Sequence, residues 1–558
     1  MNQRHYAFWP RRRPHSFPIP VTSLALNLRS AAERYPKHDA IVYYDTPISY
    51  DRVWREVEAL AGYLQTTAGV KAGDRVILDM QNSPQWAIAY YAILRANAVV
   101  VPLNPMAVTA ELEVYAEDSG ATVAFVGQEL LDRMRPLVGE QLACVIVAAY
   151  SDYVTRATDL TLPPAVAAPA LALDEVGIVA WRDALGADQQ PGPITTGDED
   201  MALLPYTSGT TGRPKGCVHT HRSVQTTTYS IVAWGGAGTA GGKILSTLPF
   251  FHVTGMTVDL NAAFLTGSTL IMLTRWDAPT TLKLIERYEC DSMTAISTMV
   301  VDLLAQPDFR PERIASLGHL GGGGAPLPAA VGEQLQGRLG LTYMEGYGLT
   351  ETISMTHANP PDHTKLQCLG IPTFGVDSRV IDPDSGRELG VNETGEIVIF
   401  GSQVMREYWH QPEATAQAFI EIDGKRFFRT GDLGFIDDEG YFFMVDRLKR
   451  MINAAGFKVW PAEVETKLFA HPAIKEACVI GSIDARKGEV VKALVVLREG
   501  ASATPDEIIA WSRDKMSNYK VPAIVEIVES LPRSGTGKVQ WRELQERENQ
   551  KQFAHSTT

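Results

Sequence analysis

Cysteine is scarce in this chain. Five residues in 558 (Cys144, Cys217, Cys290, Cys368 and Cys478) lie far apart, odd in number and in no metal-ligand spacing. That excludes a disulfide framework and fits a reduced, cytoplasmic compartment. Positive charge is in deficit: 51 Lys and Arg face 65 Asp and Glu, a formal net charge of −14. A protein that grips nucleic acid non-specifically needs a basic face, so no nucleic-acid partner is expected. No run reaches the ~18 uncharged apolar residues of a membrane span. Residues 1–20 hold Arg11-Arg12-Arg13 and four prolines but no apolar signal-peptide core, and are read as a surface extension. Residues 554–558, Ala-His-Ser-Thr-Thr, lack the Ser-Lys-Leu peroxisomal address. A Walker A loop is missing too. Lys215 precedes its glycine and Cys217 follows, while after Lys538 comes Val539 instead of Ser or Thr.

What is present is an ordinary globular composition, 45% hydrophobic and 21% charged, long enough for several domains with large cores. One stretch has unusual chemistry: Tyr206-Thr207-Ser208-Gly209-Thr210-Thr211-Gly212-Arg213-Pro214-Lys215-Gly216. Glycines let the backbone turn and approach a ligand. Successive amides in such a turn form an anion-binding concavity. Hydroxyls, Arg213 and Lys215 add donors and positive charge, which is what a triphosphate requires.

Before this loop, strand and helix patterns alternate. Ser49 caps a predicted helix over 51–65, 75–79 reads as a strand, Pro84 opens a helix ending near 97, and 98–102 is a strand. The pattern recurs over 110–126, so the sheet is parallel and helix-covered. Residues 163–200, rich in Ala, Pro and Gly, are read as a crossing that delivers the chain to the loop. After it, Leu248-Pro249-Phe250-Phe251-His252-Val253-Thr254-Gly255-Met256 is apolar with one histidine, and 295–304 is an apolar helical stretch. Gly321-Gly322-Gly323-Gly324-Ala325-Pro326 follows a strand, where missing side chains let a flat ligand or acyl chain lie on the backbone. In Gly346-Tyr347-Gly348-Leu349-Thr350-Glu351-Thr352, Tyr347 offers a face for adenine, Thr350 a hydroxyl for the α-phosphate, and Glu351 an oxygen ligand for Mg2+. From 379 short strands suggest a small antiparallel barrel ending at Arg429-Thr430-Gly431-Asp432, where a carboxylate at a strand end accepts ribose hydroxyls. The last hundred residues read as α+β: helices over 461–470, 505–516 and 541–548, strands over 476–481, 490–498 and 523–528.

These stretches, in this order, resemble the motifs of the adenylate-forming superfamily of acyl-CoA synthetases, adenylation domains and beetle luciferases. The likeness runs over about 21–543 and is greatest to medium- or long-chain fatty-acyl-CoA synthetases. It implies an α/β protein: a large domain of two helix-covered, mostly parallel sheets plus a small β-barrel over 21–446, a hinge at 447–449, a small mobile α+β domain over 450–547, and a tail at 548–558. It further implies that ATP, Mg2+ and coenzyme A serve as cofactor and co-substrates and that a small carboxylic acid becomes acyl-AMP and then acyl-CoA. By the resemblance Thr207 through Gly212 and Lys215 hold phosphates, and Gly324, Ala325, Pro326, Tyr347 and Gly348 hold adenine. Asp432 and Arg447 hold ribose. His252 lies between acyl and thiol channels, Lys449 is the pivot, Gly456 lines the pantetheine path, and Lys538 is the adenylation lysine. Trp234, Val253, Met256, Met299, Gly322 and Met344 wall the acid. No acidic residue lies between Leu248 and Val258, and Asp259 comes seven residues past His252, which disfavours an amino-acid substrate. An aryl- or other carboxylic acid–CoA ligase, an acyl-AMP ligase loading a carrier protein, and a non-catalytic sensor are the alternatives. A homodimer is left open.

Overall fold

The computed structural model describes residues 4–207, 214–235, 240–324, 327–454, 457–484, 488–533 and 539–556, with no side-chain detail at Lys449, Phe457, Lys458, Gly488 and 552–556. Two compact units divide the chain. The first takes Met1–Ser378, Ile399–Phe428 and Glu439–Tyr441; the second takes Arg379–Val398, Arg429–Asp438 and Phe442–Thr558.

The first unit carries two sheets. Seven strands run in the order His219–Thr220, Met201–Leu203, Val99–Pro102, Arg75–Asp79, Val123–Gly127, Cys144–Ala148, Ile178–Ala180, parallel except for the first. Nine strands form the other: Ile371–Pro372, Ser354–Ala358, Tyr343–Leu349, His319–Gly323, Ser292–Thr294, Lys243–Ser246, Thr269–Met272, Asp39–Tyr43, Thr46–Ser49. Its middle is parallel and its ends antiparallel. The parallel strands read as near-continuous apolar runs because both faces are covered. Val76 and Leu78 face one core with Pro84–Arg95, while Ile77 faces another with Val99 and Val101. Every residue of Pro84–Arg95 is buried, as an all-round apolar helix must be. Ser49 and Ser83 accept from Arg52 N and Trp86 N and so start their helices as expected.

The N-terminal residues are not wholly on the surface. Trp9 is 7% exposed. Its ring meets Trp234 at 4.8 Å and Phe374 at 5.1 Å, and Phe8 meets His363 and Tyr441. An aromatic pair of this size removes enough apolar area from water to hold an arginine-rich segment down.

In the second unit Gly488–Leu497 is central, antiparallel to Ile474–Asp484 and parallel to Ile524–Ile527. Alternate residues face opposite cores: Val491, Ala493 and Val495 pack with Val464 and Ile508, and Leu494 and Val496 with Leu531 and Leu544. Pro461–Phe469, Pro505–Arg513 and Trp541–Ser556 are the helices, the last longer than its apolar pattern predicted. Ile452–Ala454 and Phe457–Val459 add a hairpin that the sequence pattern did not reveal.

Candidate functional site

In the first unit the site is built at the carboxyl ends of the parallel strands, where open α/β sheets leave a crevice. Tyr206–Thr207 pairs with Lys215–Gly216, Thr207 opposite Lys215. This two-stranded stem flanks the predicted phosphate segment; Ser208 through Arg213 lie outside the described residues, as do Ala325 and Pro326. The stem is pinned from below. Tyr206 Oη donates to Asp118 Oδ2 (2.7 Å), and Trp409 Nε1 donates to the Asp118 carbonyl (3.0 Å).

The strand Tyr343–Leu349 ends in the turn Thr350–Thr352. That turn is strained. Ile353 and Ser354 follow at φ 46° and 88°, a region that costs on the order of 1–3 kcal/mol per non-glycine residue and persists where surroundings impose it. His219 Nε2 donates to the Thr350 carbonyl (2.7 Å). Burial pushes this imidazole down to about 4, so it is neutral at pH 7.

Residues 405–409 join the two motifs. Met405 N donates to the Glu351 carbonyl (2.7 Å), Arg406 N to Val218 O (2.9 Å) and Trp409 N to Gly216 O (2.8 Å). Tyr408 Oη donates to Glu351 Oε1 (3.0 Å), while Lys215 Nζ stands 4.9 Å from the Tyr408 ring centroid. Thr207, Lys215, Thr350 and Glu351 are thereby brought into one neighbourhood. Nothing in the sequence reading had marked Tyr408 or His219. The one available signal was the adjacent aromatic pair Tyr408-Trp409.

One contact links the predicted acid site to this turn: Ser354 Oγ donates to Thr254 Oγ1 (3.4 Å). His252 N donates to Pro249 O (3.2 Å) and Thr254 N to His252 Nδ1 (3.3 Å). Val253 and Met256 are buried. The helix that follows, Gly255–Asn261, is wound as a π-helix, a rare form frequent at functional sites. Thr247 Oγ1 lies 3.9 Å from Met299 Sδ and donates to Thr294 O (3.0 Å). Thr294 is paired with Gly321, and Met344 with the same glycine from the other side. Asp259 turns inward: Ser246 Oγ donates to it at 3.3 Å, and burial pushes the carboxyl up to about 8. Trp234 is 3% exposed and donates from Nε1 to the Asn359 carbonyl (3.0 Å).

The glycines have a reason different from the one expected. A Cβ at Gly322 would fall 1.9 Å from the Ala295 carbonyl oxygen and 2.2 Å from Tyr343 Oη, and one at Gly348 would fall 1.6 Å from Ser354 O. The chain's own backbone fills these positions. Gly324 alone of the run has φ of +83°. Tyr347 is 8% exposed, its ring 5.6 Å from His357 on the next strand.

The predicted ribose residues meet in the second unit. Asp432 was expected at a strand end, but Lys425–Ile436 runs past it, and it stands opposite Arg447 within the ladder. The gap is 3.1 Å between Arg447 Nε and Asp432 Oδ1. Asp446 accepts from Arg447 N and Ala462 N (both 2.6 Å), tying the hinge stretch to the start of Pro461–Phe469. Lys449 sits in the turn Leu448–Arg450. Gly456 and Lys538 lie outside the described residues.

A family model described as AMP-binding enzyme matches residues 28–409, and one described as AMP-binding enzyme C-terminal domain matches 463–538. The chain belongs to the AMP-binding enzyme family. This adenylate-forming enzyme is 33% identical over 556 residues, 98% of either chain, to a long-chain-fatty-acid–CoA ligase of Bacillus subtilis. It is 34% identical over 518 residues, 92% of this chain and 97% of the other, to a feruloyl-CoA synthase of an Amycolatopsis species. Among solved structures it is similar to ATP-bound MatB from Rhodopseudomonas palustris, with a TM-score of 0.84, 28% identity, and 95% and 99% of the two chains covered. It is also similar to a Mycobacterium tuberculosis fatty acyl CoA synthetase, with a TM-score of 0.72, 28% identity, and 94% and 98% covered. Two family models in tandem account for the α/β first unit and the smaller sheet of the second. Among the described residues no helix is long and apolar enough to cross a membrane.

Proposed function

We propose that this AMP-binding enzyme activates a medium- or long-chain fatty acid as its acyl-AMP and passes the acyl group to coenzyme A. The observation that carries the reading is the convergence of Lys215 and Glu351 on Tyr408, at a turn whose Ser354 Oγ reaches Thr254 Oγ1 (3.4 Å) in the segment that follows His252. A phosphate grip adjoins an apolar wall. The long-chain ligase relatives support the fatty acid.

A carboxylate resists attack by a thiol because oxide is a poor leaving group. Attack of the carboxylate oxygen on the α-phosphorus breaks the bond to pyrophosphate and leaves acyl-AMP. No protein nucleophile is required, so catalysis is positioning and charge neutralisation. Thr207 through Lys215 would hold the departing pyrophosphate, Thr350 would donate to the α-phosphate, and Tyr347 would face adenine. Asp432 would accept from the ribose, beside Arg447. Magnesium, when bound, supplies a Lewis acid that neutralises phosphate oxygens. The donor set fits it: Glu351 is a hard oxygen ligand on a half-buried carboxylate, and the described residues hold no group of three His, Cys, Asp or Glu side chains that would cage a metal. A cation carried chiefly by phosphates needs only one or two carboxylates. Lys538 would neutralise the charge between carboxylate and α-phosphate, and a turn about Lys449 would then exchange it for Gly456, opening a path for the CoA thiol. Five free thiols support a reducing, cytoplasmic setting.

The test is an acid panel with ATP, Mg2+ and CoA, read as AMP and acyl-CoA. Each buried CH2 contributes about 0.8 kcal/mol, roughly fourfold in kcat/KM, until the pocket ends. A stepwise climb along the aliphatic series supports the reading. Best activity on acetate or an amino acid overturns it. Best activity on ferulate would favour the second reading, an aryl acid, which the feruloyl-CoA synthase relatives motivate.

A further inference from the structure

We propose that Tyr408 is a positioning residue for the metal and triphosphate end of the site: its hydroxyl orients Glu351 and its ring face seats Lys215. The inference rests on the roles proposed above for those two residues. Three observations carry it. The hydroxyl donates to Glu351 Oε1 at 3.0 Å, and Lys215 Nζ stands 4.9 Å from the ring centroid. The phenol is 8% exposed, so its ring and hydroxyl are held in place by packing. Its backbone is fixed on both sides, Tyr408 N donating to Thr415 Oγ1 (3.0 Å) while Cys217 bridges to Tyr408.

The chemistry follows from the parts. A carboxylate has about four lone-pair sites, and one phenolic hydrogen bond uses one of them. That bond fixes the carboxylate in the orientation that the buried phenol sets. An ammonium over an aromatic face is attracted without losing its hydrogen-bond donors, so Lys215 keeps its protons for phosphate oxygens. One rigid side chain thus places an anionic and a cationic group without neutralising either.

Calorimetry of ATP binding without acid, in Mg2+ and in EDTA, tests this with a readout that is not turnover. In Tyr408→Phe the ring stays and the hydroxyl goes. The tightening that Mg2+ gives to ATP should shrink about tenfold, as for loss of a hydrogen bond to a charged group, while metal-free affinity holds within about twofold. In a Glu351→Gln background the same substitution should cost nothing further, because the partner charge is already gone. Conversion of supplied acyl-AMP and CoA to thioester should match wild type. An unchanged Mg2+ effect in Tyr408→Phe, or equal losses with and without metal, overturns the inference while leaving Glu351 as a ligand. A wild-type protein whose ATP affinity ignores Mg2+ overturns the Glu351 assignment and this inference with it.

Discussion

Gly322→Ala separates two reasons for a glycine beside the acid site. If the missing side chain makes room for an acyl chain, a methyl group shortens the pocket and leaves stability alone. The structure points elsewhere. The added Cβ would stand 1.9 Å from Ala295 O and 2.2 Å from Tyr343 Oη, two atoms hydrogen-bonded to each other at 2.7 Å. Tyr343 and Ala295 are both buried, so the displaced pair has no water to turn to. Leaving that donor and acceptor unmatched costs about 1–3 kcal/mol. Prising the backbone at 295 away from the strand adds roughly 1–3 kcal/mol of overpacking. The expected loss is therefore about 2–6 kcal/mol, a large share of the 5–15 kcal/mol of a typical protein. Denaturant unfolding of both proteins, with the chain-length profile taken on the folded variant, decides. In a Tyr343→Phe background part of the loss should return, because the 2.2 Å oxygen is gone while the 1.9 Å carbonyl remains. A variant with the wild-type unfolding midpoint and a shorter preferred acid would refute the reasoning and return Gly322 to the pocket floor.

Two further outcomes are expected. Lys538→Ala should lose on the order of 10²–10³ in acid-dependent pyrophosphate release yet still convert supplied acyl-AMP and CoA to thioester; Gly456→Leu should do the reverse, and equal damage to both half-reactions by both variants would remove the alternation model. Stability should peak near pH 6.5. His219 and His221, held near 4, and His357, held near 3, are neutral by burial, so each binds a proton only when unfolded between its folded value and about 6.5, and stability falls as pH drops through that window. Asp79 and Asp259, raised by burial to about 7 and about 8, bind protons only when folded from about pH 4 up to those values, so they offset part of the histidine effect below about 6.5 and above it make stability fall as pH rises toward 8. Each proton is worth about 1.4 kcal/mol per pH unit. An unfolding midpoint that climbs steadily through pH 8 would contradict these assignments.

Local chemistry was the legible part of this fold. The helix caps at Ser49 and Ser83, the strand Arg75–Asp79 and the helices opened by Pro84, Pro461 and Pro505 are set by neighbours in sequence. The strand Lys425–Ile436 was read as stopping near Phe428 because Arg429-Thr430-Gly431-Asp432 breaks the apolar pattern. Pairing with Phe442–Arg447 carries it on, through Gly431 at φ 68° and a register shift between Leu433 and Gly434. Tyr408 was illegible for a related reason. Its partner Glu351 is 57 residues away, and no spacing rule reports a contact at that separation. Glycine gave the opposite error: its presence at 322 was plain, but whether a ligand or the Ala295 carbonyl claims the vacated volume depends on which face of the strand meets its neighbour.

The N-terminal segment has a consequence for synthesis. Trp9 docks on Trp234 and Phe374, and Phe8 on His363 and Tyr441. A ribosome adding about 5–20 residues per second makes Phe8 roughly 20–90 s before Tyr441. Until Trp234 and Phe374 are made Trp9 has no native partner, and Phe8 waits longer for Tyr441, so this arginine- and aromatic-rich segment stays open to any chaperone that reads such composition. Phe8 is thus made long before it is fixed, because its contact with Tyr441 waits for the last stretch of the first unit.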